Sequence, residues 1–537
     1  VRPVLWSGAK SLGREALRTG GNIMTEIAAN PGQTGDILSK HATETTQNII
    51  KKLRGGGRKR KRASSPKPLK QKNKRARITK RKASSKTIKR YILMIRISHY
   101  PTMSEDVEFV TSEFDIFAHK PVQSAILGTD VVHYKPITTA DQNDLEFFIP
   151  GDTETYIDLD IKLYVRGRLI GADGKDLYAS NFTAGTNNFL HSLFSQCSIS
   201  LNGVNIAPAS ELYPYRSYLE SLLTYGSDAA NSHLTNAYWY LDEGDVLAGD
   251  PTSDNIKNKS FVKRWERQKQ SIVIQLYDRL HADICNVSQF LLSGVRMQIR
   301  LTKAKDDFYL MNENANTKAT FKFLDAEPIV NRIRPSPTIF IAHNEALSIG
   351  CIARYNLTRV ELKTFTYAGG PQAISINNAV LGMLPKRLIF TMVKNTVFLG
   401  SRNSNPYNLR HYDLTSFTMC VNGRQIPNES LSLDMGHEKT SVKGYATLFE
   451  GIGIHHSNSG LQINHDMYIN GFFMIVYDLT PDLAASEGHA SHPSNGDIRI
   501  DLKFAKALPE AVTCLLYLEY HNSVRIDLAR NVSTDFS

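Results

Sequence analysis

Cys197-Ser-Ile-Ser-Leu-Asn-Gly-Val-Asn-Ile206 recurs in outline as Phe417-Thr-Met-Cys-Val-Asn-Gly-Arg-Gln-Ile426, and this pair decides the fold. In each copy a short strand reaches an Asn-Gly pair and turns back, because Asn and Gly tolerate the positive φ that a two-residue hairpin demands. Asn-Gly turns are common, so one recurrence carries little weight. Two further blocks recur in the same order. Ser271-Ile-Val-Ile-Gln-Leu-Tyr-Asp278 resembles Phe472-Phe-Met-Ile-Val-Tyr-Asp478, and Val295-Arg-Met-Gln-Ile-Arg-Leu-Thr-Lys-Ala304 resembles Ile498-Arg-Ile-Asp-Leu-Lys-Phe-Ala-Lys-Ala507. The offsets are 220, 200 and 203 residues. Ordered recurrence at a nearly constant offset implies two tandem copies of one β domain.

The domain type follows from the alternation. Tyr156-Ile-Asp-Leu-Asp-Ile-Lys-Leu-Tyr-Val165 has an aliphatic residue at every second position from Ile157 to Val165 and reads as one continuous strand with a buried face and a polar face. Arg296 to Leu301 and Ile498 to Phe504 alternate in the same way. One-sided burial favours antiparallel sandwiches over a parallel α/β sheet. The β pattern begins near Glu113. Within the first copy, Glu211 to Tyr225 is an insertion whose later half reads as a short helix. Residues 226–265 and 451–468 read as long polar loops, which on a rigid sandwich commonly carry contacts.

Charge divides the chain. Residues 54–90 hold 18 Lys or Arg and no acid; residues 1–53 carry a net +3, and residues 91–537 a net −9. The body is therefore acidic and the basic pI belongs to the leader. Residues 54–102 read as a disordered basic tract and linker, too poor in apolar groups to build a core. Its clusters Arg58, Lys59, Arg60, Lys61, Arg62 and Lys80, Arg81, Lys82 suit DNA binding by counterion release, nuclear import, or both. Before it, residues 1–53 read as an amphipathic helical leader. Leu5, Ala9, Leu12, Ala16 and Leu17 fall at helical spacing, and a second stretch runs from the candidate N-cap Asp36 to Leu53. A membrane surface and a partner protein are both candidates for its apolar face.

The five cysteines, Cys197, Cys285, Cys351, Cys420 and Cys514, are at least 66 residues apart, which fits free thiols rather than a zinc ribbon or redox pair. With no apolar N-terminal signal region, the chain reads as intracellular. The longest apolar run, Gly471 to Tyr477, is far below the ~20 residues of a membrane-spanning helix. No Walker loop, Gly-x-Ser-x-Gly elbow or His-Glu-x-x-His helix is present. His455, His456 and His465, and His489 and His492, lie in polar loop sequence and read as surface histidines. Asp158 and Asp160 read as a solvated sheet face. The expectation is no enzyme, no cofactor and no metal.

Phe189 to Gly203, continuing through Tyr213-Pro-Tyr-Arg-Ser-Tyr-Leu-Glu-Ser-Leu-Leu-Thr-Tyr-Gly226, resembles the signature of the double jelly-roll major capsid proteins of Maverick/Polinton elements and adintoviruses. Val132-His-Tyr-Lys-Pro136 and Ile149 to Asp158 resemble its N-terminal part, and the likeness covers about residues 103–530. It implies an all-β, hexon-like chain of two tandem antiparallel jelly-roll β-sandwiches, at 103–335 and 336–537. It also implies a homotrimeric, pseudo-hexagonal capsomer of an icosahedral virion, assembled in the host nucleus with penton and minor capsid proteins. The leader resembles a small basic core or minor capsid protein of the same elements. Met103-Ser-Glu-Asp-Val-Glu resembles a natural capsid start, so a fusion of neighbouring reading frames is expected, joined through residues 84–102. The resemblance further implies a viral cysteine protease. Leu53, Gly55, Gly56 and Gly57 match its expected site, with the cut between Gly56 and Gly57 in an accessible glycine run; a plain flexible linker fits the same residues. The competing function is a domesticated nuclear β-sandwich binding protein that builds no shell.

Overall fold

The computed structural model describes residues 122–137, 144–206, 210–242, 250–253, 257–312, 318–436 and 440–534. They fall within one compact unit, Ala118–Ser537. The leader, the basic tract and the expected β onset at Glu113 lie outside the described residues.

The first half contains β1 (Ile126–His133), β2 (Asp144–Ile149), β3 (Tyr156–Ile157), β4 (Lys162–Gly171), β5 (Ala184–Gly185), β6 (Phe194–Leu201), β7 (Val204–Asn205), β8 (Ile274–Arg279), β9 (Met297–Lys303), β10 (Leu310–Met311) and β11 (Ala319–Pro335). Its two main sheets run β1-β11-β4-β8 and β2-β9-β6-β7, antiparallel throughout. The second half contains β12 (Ala353–Tyr367), β13 (Ala373–Met383), β14 (Arg387–Lys394), β15 (Leu414–Val421), β16 (Arg424–Gln425), β17 (Leu431–Ser432), β18 (Ile475–Asp478), β19 (Asn495–Phe504), β20 (Val512–Ile526) and β21 (Val532–Thr534). Its sheets run β12-β20-β14-β18 and β13-β19-β15-β16. Replacing β1, β2, β4, β6, β7, β8, β9 and β11 by β12, β13, β14, β15, β16, β18, β19 and β20 converts one pair of orders into the other. Eight strands in two antiparallel sheets of this order make a jelly roll, and the chain has two.

The repeat extends to single hydrogen bonds. Asn202 and Gly203 take φ of 48° and 86°, and Asn422 and Gly423 take 51° and 74°. Both turns are thus left-handed at both central positions, as a tight hairpin requires. Asn202 Oδ1 accepts the Arg296 N–H at 3.0 Å while its own N–H donates to the Arg296 carbonyl at 3.0 Å. Asn422 makes the same pair of bonds to Asp497, each 3.0 Å. The register of β6 on β9 slips between Phe194 and Gln196, and that of β15 on β19 between Leu414 and Ser416, the equivalent place. Alternation supplies the cores: Met297, Ile299 and Leu301 of β9 and Ile498, Ile500 and Leu502 of β19 are all buried, each worth ~1.5–3 kcal/mol.

Four segments differ from their sequence reading, 451–468 among them, where a short helix, His465–Ile469, begins. Tyr156–Val165 keeps its alternating burial but is two strands. Asp158 accepts the Asp160 N–H at 3.2 Å and the Ile161 N–H bonds to the Leu159 carbonyl at 2.9 Å, so local bonds replace the ladder between β3 and β4. The helix of the insertion takes up the whole of Tyr213–Thr224 and not only its later half; Pro214 falls in the first turn, where its missing N–H costs nothing. Residues 226–265 are no plain loop, since a helix, Lys259–Gln268, begins there. Asn258 caps it by accepting the Phe261 N–H at 3.0 Å, and it buries Arg264 against the carbonyls of Gly185 and Tyr240. In order, the helices used below are α1 (Phe189–Ser192), α2 (Tyr213–Thr224), α3 (Lys259–Gln268), α4 (Pro337–Ser348) and α5 (Val442–Gly451).

Candidate functional site

Arg58 to Arg62, Lys80 to Lys82, Leu53 and Gly55 to Gly57 lie outside the described residues. Within them, a concentration of buried polar chemistry lies at the seam where the two sandwiches meet. The seam is built by exchange. Strands β12 and β20 pair along their full length and enter both cores: Tyr355, Leu357, Val524 and Ile526 pack in the first, Val360, Leu516, Leu518 and Tyr520 in the second. In return, α2 and the segment after it bury Tyr215, Tyr218, Leu222, Leu234 and Trp239 in the second core.

Specific contacts fix this exchange. Tyr218 stacks on Tyr407 with ring centres 4.1 Å apart and planes 10° from parallel, and Tyr215 meets Tyr407 edge-on at 5.7 Å. Such pairs add ~0.5–1.5 kcal/mol beyond burial. Tyr215 donates to the Pro406 carbonyl at 3.0 Å and Trp239 Nε1 to Gln462 Oε1 at 2.7 Å. At the other end, Arg530 Nε donates to the Ser293 carbonyl at 2.7 Å, and the Leu292 N–H donates to the Tyr355 hydroxyl at 3.0 Å.

A charged cluster is built from the same helix, α2. Arg216 and Glu220, one turn apart on α2, pair at 2.8 Å. Arg216 Nη2 is 2.7 Å from Asp283 Oδ1, which also accepts the Val360 N–H of β12 at 3.2 Å. Tyr517 of β20 donates to Glu220 Oε1 at 3.1 Å, and His281 Nδ1 is 2.7 Å from Glu220 Oε2. His191, fully buried in α1, places Nδ1 2.9 Å from the Tyr213 hydroxyl and Nε2 3.5 Å from Asp278 Oδ2. A cavity of about 40 Å³ borders the cluster, lined by Cys197, Tyr213, Arg216, His281, Asp283 and Val360 among others.

Burial works to raise the Glu220 carboxyl, yet Arg216 and His281 outweigh it and hold it at about 2. Burial lifts Asp283 in spite of Arg216 and lowers His191 in spite of Asp278. The Cys197 thiol is pushed up to about 12 by burial, so it is a poor nucleophile. Chemically, this arrangement joins two sandwiches into one body.

The sequence reading overlooked this cluster. Arg216 and Glu220 at helical spacing, and the polar string Asp278-Arg-Leu-His-Ala-Asp283 just past a strand, are its local signals. The histidines singled out from sequence lie apart: His489 pairs with Asp482 at 2.7 Å, His465 with Ser441 at 2.9 Å, and His455 contacts His456. Asp158 and Asp160 do not face each other as catalytic carboxylates; Asp158 accepts the Asn331 amide at 3.1 Å and Asp160 pairs with Lys162 at 3.0 Å.

No protein-family model matches the chain. Over 354 residues it is 25% identical to an uncharacterised protein of Caenorhabditis elegans, covering 65% of this chain and 81% of that protein. It is similar in structure to a chain of the Sputnik virophage, with a TM-score of 0.55 at 9% identity over 80% of this chain and 93% of that one. Against a chain of the PBCV-1 virus capsid the TM-score is 0.52 at 12% identity, over 78% of this chain and 99% of that one. At such identities the likeness is one of fold, and it agrees with the strand orders: this is an all-β protein of two tandem antiparallel jelly rolls.

Proposed function

We propose that the chain is a major capsid protein whose work is self-assembly into trimeric, pseudo-hexagonal capsomers of an icosahedral shell. The observation that carries this reading is the double jelly roll itself, locked across its seam, in a chain similar over 80% of its length to a chain of the Sputnik virophage. A tile needs a rigid body and exposed contacts. The interlocked cores supply the first; the second is available in exposed apolar side chains such as Ile341 and Ile349 on and beside α4, and Leu381 on β13.

In this reading residues 103–335 and 336–537 are the two rolls. Residues 1–53 and 54–102 are a leader derived from a neighbouring small basic protein of a Maverick, Polinton or adintovirus-like element. The basic tract binds DNA, directs nuclear import, or both, and penton and minor capsid proteins complete the shell. A cysteine protease of the element cuts between Gly56 and Gly57. Incubating the chain with that protease and weighing the products tests this last step: an intact bond, with the enzyme active on a control peptide, rules it out.

Sedimentation velocity of the purified chain tests the main reading. A trimer at micromolar concentration supports it; a monomer refutes it. One observation favours a second reading. The relative at 25% identity is a protein of an animal, Caenorhabditis elegans, as a domesticated cellular copy that binds partners without building shells would be. That reading requires the monomer, or a small oligomer other than a trimeric capsomer.

A further inference from the structure

His191, Asp278 and His281 each offer one ligand atom, and the three atoms lie within 4.8 Å of one another. Both histidines are buried and Asp278 is nearly so. Tetrahedral zinc with bonds of about 2.0–2.1 Å sets its ligands ~3.3 Å apart. His191 Nε2 and Asp278 Oδ2 are already at 3.5 Å, and the His281 ligand atom, within 4.8 Å of both, has to approach them by up to about 1.5 Å to complete the set.

The surroundings of the two rings match what metal-bound histidines require. Such a residue uses one nitrogen for the metal and the other to bond an oxygen that fixes its orientation. Nδ1 of His191 is engaged by the Tyr213 hydroxyl at 2.9 Å, and Nδ1 of His281 by the Glu220 carboxylate at 2.7 Å. Each ring is thereby left with Nε2 for a further partner.

We propose that His191, Asp278 and His281 form a structural divalent-cation site, best suited to zinc, that pins α1 and the turn after β8 beneath the seam. Histidine with carboxylate is a borderline ligand set that suits zinc over magnesium or calcium. Glu220 is a positioning residue, acting through His281. The repeat makes the assignment selective. Asp478 occupies in β18 the place of Asp278 in β8, but it accepts the N–H groups of Thr480 and Ala485 instead. The second sandwich thus uses its equivalent carboxylate to hold a loop.

The test uses the full chain, refolded with zinc because the site is closed, dialysed, and assayed for metal by mass spectrometry. One zinc per chain is expected, together with visible d–d absorption when cobalt replaces it and a thermal midpoint several degrees higher than in chelator. H191Q, D278N and H281Q should each lose the metal, and E220Q should weaken its binding about 10- to 100-fold. H455Q/H456Q, which removes an exposed histidine pair, should retain it. Wild type that holds no stoichiometric zinc and shows no midpoint shift overturns the proposal. So does zinc that survives in all three ligand variants and vanishes in H455Q/H456Q. If the ligand variants fail to fold, the wild-type metal content and cobalt spectrum decide the matter alone.

Discussion

Replacing Arg216 by Met keeps most of the side chain's volume and removes the cation on which the seam depends. Asp283 is left fully buried with only the Val360 N–H, and Glu220 keeps His281 and Tyr517. Breaking a buried pair by deleting one member costs ~3–5 kcal/mol, because the remaining charge stays desolvated. Unfolding entropy of ~2.1 cal/mol/K per residue gives about 0.9 kcal/mol/K for a unit the size of Ala118–Ser537. The Arg216→Met midpoint should therefore fall by about 3–6 °C in scanning calorimetry at pH 7. Arg334→Met is the control. Its 3.0 Å pair with Asp130 is more than half exposed on both sides, and the shift should stay under about 1 °C. If Arg216→Met melts within a degree of wild type, the cluster does not hold the seam.

Asn202→Ala and Asn422→Ala each place alanine at positive φ and remove an acceptor from a backbone N–H, costing ~2 kcal/mol in urea unfolding. Asn202→Ala should cost the more, since Asn202 Nδ2 also donates to the Arg530 carbonyl at 2.7 Å; equal or negligible losses contradict the turn assignment. Because Glu220 titrates at about 2 in the folded chain against 4.5 ordinarily, its stabilisation is complete above the unfolded value and is lost as pH falls from there toward 2. Glu220→Gln should flatten that acid limb in circular dichroism, and an unchanged limb argues against the pairing. DNA affinity should depend on residues 54–90, with log K falling against log salt with a slope as steep as about −16 if all 18 charges engage. Affinity that survives deletion of the tract refutes this.

The hairpins β6-β7 and β15-β16 were legible because a left-handed two-residue turn admits few residues and Asn-Gly announces it. Strands β8, β9, β18 and β19 were legible through the repeat and one-sided burial. The long strands β11, β12 and β20 were not singled out. Strands β12 and β20 run through both cores, so their burial changes partner along their length; in β11 a register slip between Phe323 and Asp325 interrupts the pairing with β4. Helix α4, between the sandwiches, is mostly exposed and shows no strong apolar stripe, and α5 sits in what sequence presents as loop-rich surroundings. The buried cluster was hidden for a different reason. His191, Glu220 and Asp278 are scattered along the chain and meet only when the topology is closed, whereas a search by sequence proximity found His455, His456, His465, His489 and His492.

The central claim is that the double jelly roll is a tile of a shell. Electron microscopy of the purified chain, with two-dimensional averaging, tests it most directly. The account predicts particles of pseudo-hexagonal outline with threefold symmetry, three chains contributing six sandwiches. Averages showing only single two-lobed particles, at concentrations where sedimentation finds no larger species, would contradict it.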